Sequence, residues 1–104
     1  MFGKKPHRQD FRIIARDGAG AVVLDASSAA FALPEAAVIA LSVEFFDDPE
    51  PCEIHRAAVR SRALQELRES CPGGRETAVS ALPERLRGIV PEAAQTVRVL
   101  EEVP

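Results

Sequence analysis

Pro34, Pro49, Pro51, Pro72, Pro83 and Pro91 divide most of this chain into short segments. Proline lacks the N–H that a helix interior or a central strand needs, and it pushes the residue before it towards extended geometry. Each proline therefore marks a start, a stop or a turn. After Pro34 each segment has room for about one regular element. The chain's 104 residues suit one compact domain. The reading is an N-terminal arm over residues 1–9 and a single α+β domain over residues 10–104.

Within that frame, FRIIAR (residues 11–16) and AVVLD (residues 21–25) are strand-like runs separated by DGAG. Two such runs around a glycine-containing turn predict a hairpin. In the first run Phe11, Ile13 and Ala15 alternate with Arg12, Ile14 and Arg16, so one face is apolar and the other partly charged. Residues 26–33 fit either a helix or a short strand. VIALSVEFF, residues 38–46, alternates with period two and reads as a strand. Residues 52–70 carry a helical stripe through Ile54, Ala57, Ala58, Ser61 and Leu64, stopped by Pro72-Gly73-Gly74. Residues 76–82 and 83–88 read as two helical pieces broken at Pro83, and residues 96–103 as a final strand at a sheet edge. The tetrapeptide ALPE occurs at residues 32–35 and again at residues 81–84, as helix-start chemistry used twice.

The predicted order is β-β-β-α-α-β. It favours an antiparallel or mixed sheet with helices packed mainly on one face.

Composition removes several function classes. Hydrophobic residues make up 46% and charged residues 28%, an ordinary globular balance. The net charge is −3, so no global positive field draws nucleic acid or an anionic membrane. Tyr and Trp are absent, which weakens base-stacking and aromatic-cage readings. No apolar run approaches the length of a bilayer span, and the basic start is followed by no apolar core of a signal peptide. Two cysteines make no disulfide framework, so the cytoplasm is the expected compartment. Abundant Ala and Arg suggest a small bacterial protein from a GC-rich genome. No motif for a cofactor is present.

The densest chemistry lies in FFDDPEPCEIHR, residues 45–56. Its plain reading is a strand-to-helix joint, with Asp47 and Asp48 ending the strand and offering an N-cap. Its sharper reading is a reactive thiol. Cys52 would sit at a helix start, where free N–H groups favour the thiolate, and His55 follows within one turn. The nearby carboxylates oppose that effect. Cys52 and His55 also have a metal-pair spacing, but with no second pair nearby no metal site is assigned.

Arg56, Arg60 and Arg62 make the same helix locally basic and are candidates for anion or RNA contact, with Arg8, Arg12 and Arg16 extending the patch. The leading functional expectation is a non-catalytic binding or regulatory module that meets a protein partner or a second copy, as a homodimer, by strand pairing. A thiol enzyme or redox sensor built on Cys52 and His55 is the alternative, and RNA or phosphate binding comes third.

Overall fold

The computed structural model describes residues 10–101. β1 (Phe11–Arg16) and β2 (Val22–Ser27) form the N-terminal hairpin. α1 (Glu35–Phe46) and α2 (Glu53–Ser70) follow, then β3 (Thr77–Ala78), α3 (Glu84–Arg87) and β4 (Thr96–Glu101). Short 3-10 turns cover Pro72–Gly74 and Val79–Ala81. The fold is a single small α+β domain with one antiparallel sheet, in the order β2-β1-β4-β3.

The hairpin forms as its sequence predicts. Asp17 holds the turn by accepting the N–H groups of Ala19 and Ala21, each at 2.9 Å. Gly20 takes φ 88°, where glycine escapes the steric cost of a Cβ. Ile13 pairs with Ala26 on one side and with Val99 on the other. Phe11, Ile13, Ala15, Val97 and Val99 are buried on the inner face of the sheet. They pack with Leu41 of α1 and with Val59, Ala63, Leu64 and Leu67 of α2. The helices thus share one face, and Arg12, Ile14 and Arg16 alternate onto the other.

Three expectations need correction. Residues 38–46 are not a strand but most of α1. Their period-two alternation carries little information, because apolar residues occupy both sides of this helix. The pattern Ala37, Val38, Leu41, Ser42 is the helical stripe that faces inwards. The element order is therefore β-β-α-α-β-α-β.

The segment at 76–82 is not one helical piece either: it is a two-residue strand followed by the 3-10 turn at Val79–Ala81. It is too short between its breakers, and Thr77 and Ala78 pair instead with Val97 and Thr96. Finally, β4 is not an edge strand. β1 borders it along its length and β3 borders it at Thr96 and Val97. Arg98 Nε donates to the Gly74 carbonyl at 2.9 Å on the same side.

Residues 26–33 resolve into the end of β2, a turn and an extended stretch that buries Phe31. α2 ends before Pro72, as expected. The arm at residues 1–9 and the expected strand's last residues lie outside the described range. Among the described residues no helix is long and apolar enough to cross a membrane.

Candidate functional site

FFDDPEPCEIHR is a joint between two helices, not between a strand and a helix. Asp47 does not cap the second helix. It closes α1 in the left-handed conformation, φ 55° and ψ 38°, with its N–H on the Val43 carbonyl at 2.8 Å. Asp48 makes a local turn by accepting the Glu50 N–H at 3.0 Å. Pro49 and Pro51 fix φ within the bent connection. Cys52 takes the N-cap position of α2 with φ −80° and ψ 176°, and its carbonyl accepts the Arg56 N–H at 2.8 Å.

Cys52 is exposed. Its side chain makes no capping hydrogen bond. Among the described residues no hydrogen bond joins it to His55. His55 instead stacks on Phe46, ring centroids 4.6 Å apart. Its Nδ1 lies 3.4 Å from the Asp48 carboxylate, an ion pair when the imidazole is protonated. That Nδ1 is shielded from solvent and makes no hydrogen bond. The fold therefore supplies a carboxylate beside the histidine that sequence spacing does not reveal, since Asp48 belongs to a loop. Cys71, at the other end of α2, is buried, and burial pushes its thiol pKa up against a weaker opposing hydrogen bond from Thr77. Among the described residues no group of three or more His, Cys, Asp or Glu side chains is placed to hold a metal.

Each of the three candidate arginines has a partner within the chain. Arg56 forms a fork with Glu35, at 3.0 and 2.7 Å. Hydrogen bonding to Arg56 holds the Glu35 carboxyl below the usual carboxylate range. Arg60 donates to the Phe31 carbonyl at 2.9 Å and to the Ser28 carbonyl, tying the loop after β2 to α2. Arg62 lies over the Phe45 ring at 4.1 Å and faces Glu66 at 3.6 Å. Arg12 forks with Asp25 on the outer face of the sheet, away from these helical arginines. The fold thus divides the basic patch that the sequence suggests, and Arg8 lies outside the described residues.

The feature that sequence reading missed is the outward face of α1. Ile39 is 39% exposed, Val43 43% and Phe46 37%. Spaced by four and then three residues, they share one side of the helix. Ala36, Ala40 and Glu44 flank them, and with Glu84, Arg85 and Gly88 they line a groove of 660 Å³ between α1 and α3. The signal was present in the sequence as an apolar stripe at helical spacing, hidden by the strand assignment. No protein-family model matches this chain, and no curated protein or solved structure matches it at a significant level.

Proposed function

We propose that this protein is a non-catalytic binding module that works through protein–protein contact on the outer face of α1. One observation carries the reading: a helix already anchored in the core by Leu41 still exposes Ile39, Val43 and Phe46. A surface helix normally turns charged and polar residues outwards. Contiguous exposed apolar side chains mark interaction surfaces. Strand pairing through residues 38–46 loses its basis, because they are helical, and β3 already pairs with β4 at Thr96 and Val97.

The test is photo-cross-linking in living cells, with benzoylphenylalanine placed at Val43 and, as a control, at Ala19 in the hairpin turn. Polypeptide adducts from position 43 alone support the reading. Adducts from neither position, or equally from both, overturn it.

A second reading keeps one observation of its own. The Asp48 carboxylate lies 3.4 Å from His55 Nδ1, close to the histidine that thiol chemistry at Cys52 would use. On this reading a Cys52→Ser variant loses a thiol-dependent activity while its unfolding curve stays unchanged. Retained activity ends it.

A further inference from the structure

The chain carries no Lys or Arg between Asp17 and His55, and α1 lies wholly inside that stretch. Every charge on α1 and on the loop that follows it is negative: Glu35, Glu44, Asp47, Asp48 and Glu50. The ridge of Ile39, Val43 and Phe46 is therefore an apolar surface in an acidic frame. The groove beside it repeats the pattern. Ala36, Ala40 and Gly88 give it small walls, and Glu44 and Glu84 give it two carboxylates.

The cations that the fold brings near are matched from within. Glu35 holds Arg56 at 2.7 Å, and Glu66 holds Arg85, on the groove wall, at 2.6 Å. Glu66 also faces Arg62, at 3.6 Å. Among the described residues Glu44 and Glu84 make no ion pair and no hydrogen bond, and Glu44 acts on Arg85 only as a more distant charge.

The geometry points to a basic amphipathic helix of another protein as the partner of this face. This rests on the reading of α1 as the contact face and names the chemistry of what it meets. Ile39, Val43 and Phe46 follow the spacing by four and then three at which helices offer anchors to one another. A partner helix laid along them sets its apolar stripe on the ridge. The small walls at Ala36, Ala40 and Gly88 let it approach closely. Lys or Arg flanking that stripe reach Glu44 and Glu84 on the groove side, and the exposed Asp47 and Glu50 beyond the end of α1. The C-terminal end of the α1 dipole, with no basic residue in its last turn, attracts the same cations.

These charges disfavour the other occupants. An acidic segment or an anionic membrane is repelled. The α1 face of a second copy brings only further carboxylates against Glu44.

Two synthetic helical peptides serve as probes. They share one leucine stripe; the first carries Lys at the flanking positions and the second Glu. Binding to the full chain is followed by amide chemical-shift changes. The Lys peptide is expected to shift α1 and α3 and to bind about tenfold or more tightly than the Glu peptide. A variant with both Glu44→Lys and Glu84→Lys is expected to reverse that preference with unchanged circular dichroism. Raising NaCl from about 50 mM to about 500 mM should weaken the Lys peptide several-fold.

Equal affinities, preference for the Glu peptide, or no binding of either peptide overturns the inference. Shifts that avoid α1, or a preference that the double variant leaves unchanged, overturn it too. The cross-link at position 43 separates the two levels. Adducts to another protein, with no preference for the Lys peptide, leave the binding-module reading standing and remove only the basic helix. Adducts confined to residues 1–9 of the same chain, or to a second copy, remove the outside partner.

Discussion

The imidazole of His55 lies on the ring of Phe46, with centroids 4.6 Å apart and planes 14° from parallel. The stack joins the last residue of α1 to the first turn of α2, across a loop that holds Pro49 and Pro51. Phe46 in turn meets Phe45 edge-on at 6.3 Å. The pose of α1 against α2 therefore depends on aromatic contact at the joint as well as on the buried leucines.

That contact predicts energetic coupling. In a double-mutant cycle with Phe46→Ala and His55→Ala, urea unfolding is expected to give a coupling of about 0.5–1.5 kcal/mol. A coupling near zero would leave the Asp47 cap and the core contacts to hold the joint.

Ser42 is fully buried, and its hydroxyl has no hydrogen-bond partner. Burying an unpaired hydroxyl is costly, and alanine is the better helix former. Ser42→Ala is therefore expected to raise stability by about 1 kcal/mol, read as a higher urea midpoint with an unchanged slope. A fall in stability would show that the hydroxyl is hydrogen-bonded in solution.

Gly74 and Gly88 differ in what they tolerate. Gly74 has φ +71°, and an added Cβ would lie 3.2 Å from Leu100 Cδ2. The side-chain tip can yield, but the left-handed backbone remains costly for an L residue, so Gly74→Ala is expected to lose about 1–2 kcal/mol. Gly88→Ala meets open space and is expected to be neutral or to gain up to about 1 kcal/mol through the unfolded state. Thermal unfolding of the two variants side by side makes the comparison, and equal losses would contradict it.

The two cysteines should separate kinetically. Cys52 is exposed and Cys71 is buried, with burial raising its thiol pKa. At neutral pH an aromatic disulfide reagent is expected to modify one thiol per folded chain, and the second only after unfolding. Peptide mapping should place the first at Cys52. Fast modification of Cys71 in the native protein would mean that the C-terminal end of α2 opens readily.

The Arg56–Glu35 fork gives stability a direction with pH. Hydrogen bonding to Arg56 depresses the folded-state pKa of Glu35. The contribution is therefore complete above the unfolded carboxyl value of about 4.3 and fades as pH falls through the lower folded value. Arg12 acts on Asp25 in the same sense. Acidification from about pH 5 to about pH 3 should cost wild type more stability than Glu35→Gln, and added salt should narrow the difference. Parallel curves would show that the fork does not form in solution.

The candidate site was half legible before the fold was known. ALPE precedes a helix at both of its positions: Glu35 opens α1 and Glu84 opens α3. That signal lies beside VIALSVEFF, whose period-two alternation competes with it. Period-two and helical readings compete fairly only where one face is polar. Here Ile39, Val43 and Phe46 made the outward face as apolar as the inward one, so the feature that concealed the helix is the one that suggests its function. Asp48 beside His55 was not legible at all, because its position depends on how a loop folds back.

Local chemistry alone determined the hairpin around Asp17, the long helix α2 with its stop at Pro72, and the α+β class. Each depends on residues within a few positions of one another, where backbone sterics and side-chain period decide the outcome. Tertiary structure decided what distance along the chain conceals. It drew Thr77 and Ala78 into the sheet against β4 and placed β4 between β1 and β3. It also gave Arg56 to Glu35, Arg60 to the loop after β2, and Arg68 to Glu101. These partners meet only once the helices and strands share a layer, and no rule confined to one turn or one strand reaches that far.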